Sequence, residues 1–330
     1  MMHWFSFKMA ATHCFSNEAN LQREVCSLIA QKSSEAIKDH GFFSVGFSGG
    51  SLPKIVCPGL LSRQIDFSKW RVFLCDERYV PISHADSNYQ GVKQHLLDKA
   101  SVPPEEVLVI NHDISLEEAA KDYESRLKSW YPGSELPSLD MLLLGMGPDG
   151  HTCSLFPGHA LLKETSCLVA PISDSPKPPP CRITLTYPII NAAKCAVFVS
   201  TGASKASVLQ QVLEGGPEDP LPAARVKPAQ GELHWFIDNA AASLLKTKWT
   251  MTPNLVFSTL FSIFLKKILE VSWSLLIGWF KSPGDSHIKR TGVLVGNFEK
   301  NPLHPERYCD NPERYKEHPH LFYMEVSPGV

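Results

Sequence analysis

Four times along this chain a short apolar run ends directly in a polar cluster. Phe42 to Phe47 leads into Ser48-Gly49-Gly50-Ser51, and Val72 to Cys75 leads into Asp76-Glu77-Arg78. Met141 to Leu144 leads into Gly145-Met146-Gly147-Pro148-Asp149-Gly150-His151, and Ala196 to Ser200 into Thr201-Gly202 and then Lys205. Short, nearly continuous apolar runs read as strands buried on both faces, which requires a parallel sheet covered by helices. In an open parallel sheet, ligands bind outside the carboxyl ends of the strands. Four polar clusters at four strand ends are therefore expected to converge on one crevice.

The intervening segments supply the helices. Ser16 is positioned to cap a helix carrying Leu21, Val25, Leu28, Ile29 and Ile37, with Gly41 as its stop. Pro53 suits the first turn of a second helix. Ser115 and Glu118 form a capping box for a third, running to about Trp130. Further strands are expected at Val107 to Ile110, Cys167 to Ile172, Ile183 to Thr186 and Leu233 to Ile237. The fold class is α/β: a mostly parallel sheet with helices on both faces.

Composition narrows the function. Lys and Arg number 32 against 34 Asp and Glu, a net charge of −2, which argues against a protein that coats nucleic acid. With 43% hydrophobic and 20% charged residues the chain is globular, not an acidic disordered polymer. Its 9 cysteines show no CxxC spacing, so neither a structural zinc site nor a disulfide framework is indicated, and reduced thiols in the cytoplasm fit better. The first nine residues hold no apolar run long enough for a signal peptide and read as an extension, with Met9 as an alternative start.

Each cluster admits a bland reading beside a chemical one. Ser48-Gly49-Gly50-Ser51 is either a tight turn that needs glycine or an anion cradle opening a helix. Lys205 alone reads as a solvated lysine, and Asp76-Glu77-Arg78 alone as a solvated loop. His151 is sharper: a histidine in a glycine-rich turn at a strand end is free of the core and titrates near neutral pH, as a general base must. Asp149 is placed to orient it, although a spacing of two residues does not establish contact. His159 is not spaced to form a helical metal pair with His151, so the two histidines do not argue for a metal. The Pro-rich stretch from Ser173 to Arg182 lies between two strands and reads as a rigid wall of the crevice rather than a peptide ligand, with Lys177 and Arg182 as its cations. No Walker A loop occurs, which disfavours a nucleotide triphosphate enzyme.

On these residues the chain resembles the 6-phosphogluconolactonase family. The matching stretches are Gly46 to Ser51, Cys75 to Pro81, Gly145 to Pro157, Ser173 to Thr186 and Trp235-Phe236, in order, within residues 10–246. The Ser-Pro-Lys-Pro-Pro-Pro run resembles animal members. The resemblance implies a Rossmann-like fold shared with glucosamine-6-phosphate deaminase. It implies hydrolysis of 6-phospho-D-glucono-1,5-lactone to 6-phospho-D-gluconate in the oxidative pentose phosphate pathway, with no metal or organic cofactor. It further implies a substrate-binding set of Ser48, Gly49, Gly50, Ser51, Asp76, Arg182 and Lys205. The catalytic set it implies is His151 as base, with Asp149, Arg78 and Lys177. The expected partner is the small sugar-phosphate lactone, and the expected state is a monomer.

Two alternatives are weighed. A sugar-phosphate isomerase or deaminase on the same fold needs an extra acid near the histidine, and residues 152–157 contain none before Glu164. A catalytically impaired, sugar-phosphate-binding splice product is suggested by the tail. Residues 247–330 do not match the family: 255–280 are strongly apolar but are interrupted by Lys266, Lys267 and Glu270, and the remainder reads as loop or disorder. Membrane contact through 255–280 is considered and not favoured.

Overall fold

The structure, a computed structural model, describes residues 10–216 and 218–247. The expectations for residues 1–9 and for the tail from 248 onward, including its apolar stretch, lie outside the described residues. Among the described residues no helix is long and apolar enough to cross a membrane.

The elements in chain order are β1 (Ala11–Phe15), α1 (Glu18–His40), β2 (Phe43–Phe47), α2 (Leu52–Leu61), β3 (Trp70–Leu74), β4 (Asp76–Arg78), α3 (Asn88–Val92) and α4 (Leu116–Ser129). They continue with β5 (Met141–Leu144), β6 (Val169–Ile172), β7 (Arg182–Leu185), α5 (Tyr187–Ala192), β8 (Cys195–Ser200), α6 (Ala206–Glu214) and β9 (Glu232–Asp238). Six strands form one sheet in the order β1-β9-β8-β5-β2-β3, and every neighbouring pair is parallel. A second sheet, β4-β7-β6, is antiparallel.

Strand alternation divides the core in two. Leu142, Leu144, Phe198 and Trp235 pack on one face with Ala119, Tyr123 and Leu127 of α4 and with Leu209 of α6. Met141, Leu143, Val197 and Phe236 pack on the other with Val25 and Ile29 of α1 and with Val56 and Leu60 of α2. Both faces are dry, which is why these strands read as continuous apolar runs. Each fully buried Leu or Phe contributes about 1.5–3 kcal/mol.

The order of strands also places the ligand site. From β2 the chain crosses to β3 at the sheet edge, then returns to β5 on the other side of β2. The direction of winding thus reverses between β2 and β5, and a crevice opens outside their carboxyl ends.

Several local expectations are met. Gly41 ends α1 in a left-handed conformation at φ 90, Pro53 lies in the first turn of α2, and the Ser115–Glu118 capping box is formed. Others are corrected. The cap of α1 is Asn17, whose side chain accepts the Asn20 N–H at 2.9 Å, while the Ser16 hydroxyl accepts from the Asn20 side-chain amide instead. Val107 to Ile110 is not a strand: Leu108 N–H donates to Val72 at 2.8 Å, after which the buried Leu108 and Ile110 turn under α4 instead of extending the ladder. Asp76-Glu77-Arg78 is not a loop but β4, because the chain kinks at Cys75 and pairs with β7. Strand β1 had no clear sequence signal. It is an edge strand of mixed polarity, only its central His13 being buried.

Candidate active site

All four polar clusters open onto one crevice of about 220 Å³. Its lining includes Ser48, Gly49, Gly50 and Ser51 after β2, Asp76 and Arg78 of β4, and Gly145 to Gly147 with His151 after β5. Arg182 of β7 and Ser200, Thr201 and Lys205 after β8 complete the ring. Of the residues singled out in the sequence, Asp149 and Lys177 do not line this volume. They stand directly behind His151.

The histidine is held from behind. Its Nδ1 lies 2.5 Å from Asp149 Oδ1 and 3.1 Å from Lys177 Nζ, and Lys177 donates to the same Asp149 oxygen at 3.0 Å. The contact that spacing alone left open is therefore made. Nε2 makes no hydrogen bond to any described residue. The ring rests against Phe156, centroids 4.7 Å apart. Burial depresses the His151 pKa below its ordinary 6.5, and Lys177 adds to this, although the Asp149 carboxylate pulls the other way. Burial would raise Asp149, but hydrogen bonds from His151 and Lys177 prevail and hold it at about 2. At neutral pH this is a neutral imidazole beside an ionised carboxylate, the state a general base requires.

Positive charge gathers at the other end. Arg78 and Arg182 face each other directly across β4 and β7. Like charges opposite one another in a sheet are destabilising unless something negative compensates. Arg182 is buried; burial and then Arg78 lower its pKa, and its guanidinium is braced by the carbonyls of Pro179, Lys177 and Pro178. Arg78 donates from Nη1 to the Asp86 carbonyl at 3.0 Å, while its buried Nε has no partner among the described residues. Lys205, at the start of α6, reaches across to the Met146 carbonyl at 2.8 Å, and its pKa is lowered by burial and by Lys177. This is not the solvated lysine of the bland reading.

The 48–51 loop opens α2, and Ser51 at its cap makes no side-chain bond to the first-turn amides. The first-turn amides of α2 are thus left without a side-chain cap, as an anion site needs. Gly49 is required by close approach: a Cβ there would lie 1.8 Å from Asn88 Oδ1. Asp76 is buried, accepting from the Ser154 hydroxyl at 2.7 Å and from Asn88 Nδ2 at 3.3 Å.

Asn88, the Met146 carbonyl and Ser200 also line the crevice, and sequence reasoning did not single them out. Asn88 had no signal, because it starts a five-residue helix far in sequence from every cluster it touches. One group of metal-type donors exists among the described residues: Cys195, Glu232 and His234, within 4.8 Å of one another. It sits at the amino ends of β8 and β9, at the opposite end of those strands from the crevice, and Lys32 already pairs with Glu232 at 3.1 Å. His159 is bonded to Asp174 at 3.0 Å.

Comparison with known proteins gives a consistent result. The sequence model of the family described as glucosamine-6-phosphate isomerases/6-phosphogluconolactonase matches residues 16–235. Human 6-phosphogluconolactonase is 46% identical over 240 residues, spanning 70% of this chain and 92% of that relative. Among solved structures, 6-phosphogluconolactonase from Trypanosoma brucei matches with a TM-score of 0.65 at 25% identity, over 72% of this chain and 98% of the other. That from Thermotoga maritima matches at 0.62 and 26% identity, over 70% and 100%.

Proposed function

The chain belongs to the glucosamine-6-phosphate isomerases/6-phosphogluconolactonase family, and from that premise we propose that it hydrolyses 6-phospho-D-glucono-1,5-lactone to 6-phospho-D-gluconate. The observation that carries this reading is the pairing, in one crevice, of an Asp149-held His151 with an anion site built from the 48–51 loop, Arg182 and Lys205.

A lactone is an activated ester, so its hydrolysis needs a positioned water, one base and positive charge near the carbonyl. Asp149 fixes the proton on Nδ1, which leaves the Nε2 lone pair to take a proton from water as the oxygen attacks C1. The carbonyl oxygen gains negative charge, which the cations of the crevice stabilise. The imidazolium then returns its proton to the ring oxygen as the C1–O bond breaks. No electrons are exchanged with a cofactor, and water supplies both the new oxygen and the proton. The phosphate, held on the 48–51 amides with Ser48, Gly49, Gly50, Ser51, Arg182 and Lys205, fixes the far end of the sugar and lowers the entropic cost of alignment. Arg78 holds the lactone, Lys177 braces Asp149 behind the histidine instead of touching the lactone, and Asp76 braces the binding wall.

Isomerisation or deamination would move a proton between C1 and C2 and open a ring, which calls for a second acid beside the histidine. Residues 152–157 offer none, and Asp76 is tied to Ser154 and Asn88. We assign the activity to residues 10–246, acting as a monomer in the cytoplasm.

The test is hydrolysis of freshly generated 6-phosphogluconolactone by the purified full-length chain, scored above the spontaneous rate, beside ammonia release from glucosamine 6-phosphate. Acceleration of the first without the second is expected. The reverse pattern would transfer the chain to the deaminase chemistry, and activity on neither would leave the impaired sugar-phosphate-binding reading.

A further inference from the structure

One buried carboxylate in the crevice wall has no part in the chemistry above. Glu77, in the middle of β4, is 1% exposed. Its Oε1 accepts the backbone N–H of Arg78 at 2.6 Å and of Asn88 at 2.8 Å. Its Oε2 accepts the N–H of Tyr89 at 2.7 Å and the hydroxyl of Ser87 at 3.0 Å. Burial pushes the Glu77 pKa up, and these same four donors oppose the shift by favouring the charged form. Both oxygens are engaged, three of the donors are backbone amides, and two of those amides belong to residues that line the crevice.

Glu77 thus decides where the segment 86–89 lies against β4. Asn88, fixed by its own N–H, presses its side chain onto Gly49 in the anion loop, close enough to exclude a Cβ there. It also donates to the Asp76 carbonyl at 2.9 Å. Arg78, anchored at its N–H, reaches the Asp86 carbonyl at 3.0 Å, in the same segment. One carboxylate therefore sets the spacing between the 48–51 loop, Asn88 and Arg78.

We propose that Glu77 is a positioning residue for substrate binding, which acts through Asn88 and Arg78 to hold the anion-binding wall in register with the 48–51 loop. The proposal takes its substrate from the lactonase reading. Glutamine does not reproduce the arrangement, because its NH₂ group would confront donors on whichever side it occupied.

The test uses Glu77→Gln and Ser87→Ala in the full-length chain. The readouts are kcat and KM for the lactone, the pH midpoint of kcat/KM, and calorimetric Kd values for 6-phosphogluconate and inorganic phosphate. For Glu77→Gln, KM and both Kd values should rise about 10-fold while kcat changes little, the signature of lost uniform binding. The pH midpoint, set by His151, should stay in place. A purely structural role would lower Tm or the active fraction and leave KM and Kd at wild-type values, and that result would overturn the proposal. If Glu77→Gln does not fold, Ser87→Ala decides, since it removes one donor from Oε2. A rise in KM of about 3-fold is expected, and a wild-type KM overturns the proposal. If the wild-type chain fails to hydrolyse the lactone, the lactonase reading falls by itself. The phosphate Kd then judges Glu77: unchanged in the variants it refutes the positioning role, and raised it upholds it.

Discussion

Gly147 offers a way to displace His151 without touching it chemically. A Cβ built on Gly147 would lie 2.0 Å from both Cε1 and Nδ1 of the His151 ring and 2.7 Å from Asp149 Oδ1. Ordinary contact begins near 3.4 Å, so in Gly147→Ala the imidazole must retreat by about 1.4 Å, and a misplacement of about 1 Å costs on the order of 10²-fold in rate. The ring cannot withdraw freely, because Asp149 grips Nδ1, Lys177 Nζ stands 3.1 Å from that nitrogen and Phe156 lies against the ring. The expected outcome is a loss of kcat of about 10²-fold or more, with a far-UV spectrum unchanged and a KM within about 3-fold, since the atoms that the new methyl group meets are those of His151 and Asp149. The assay is steady-state hydrolysis of freshly made lactone, corrected for the spontaneous reaction, with Tm measured on the same samples. A folded Gly147→Ala protein with near-normal kcat would show that the position of this ring does not matter to the rate, and the mechanism would fail with it.

Three further outcomes follow from the same geometry. In the wild-type protein kcat/KM should rise with pH and level off above a midpoint below 6.5, because the base is the neutral imidazole and burial holds its pKa low; a midpoint well above that value would contradict the assignment. In Asp149→Asn the carboxylate that raises the His151 pKa is gone, so the midpoint should fall further and the plateau drop by about 10²-fold as the tautomer is lost, which a pH–rate profile measures. Tyr123→Phe removes the buried hydroxyl that accepts the Leu74 N–H at 2.7 Å, and chemical denaturation should register a loss of about 1–3 kcal/mol, with a change under about 0.5 kcal/mol counting against that bond.

The parallel sheet was readable because its central strands are dry on both faces, as the wholly buried run Met141 to Leu144 is. Convergence of the four clusters was readable for a related reason: parallel strands bring their carboxyl ends to one side, so sequence order near those ends becomes spatial proximity. Edges and the second sheet were less legible. In β4 the charges of Asp76 and Glu77 masked a buried strand, since nothing local reveals that Ser154 and the amides of Asn88 and Tyr89 arrive from elsewhere to satisfy them. The contact between Asp149 and His151 depends on a turn geometry that two-residue spacing leaves open. Asn88 was invisible because its importance lies in what it touches, Gly49 and Asp76, and not in its neighbours along the chain.

The central claim is that His151, held by Asp149 in the crevice, activates water against the lactone. The measurement that tests it most directly compares lactone hydrolysis by the full-length chain with that by His151→Ala, both scored above the spontaneous rate. The wild-type chain should accelerate the reaction, and the substitution should lower kcat by about 10²–10⁴-fold while binding of 6-phosphogluconate persists, because the anion site is built from other residues. A His151→Ala protein that turns over at close to the wild-type rate would contradict the claim.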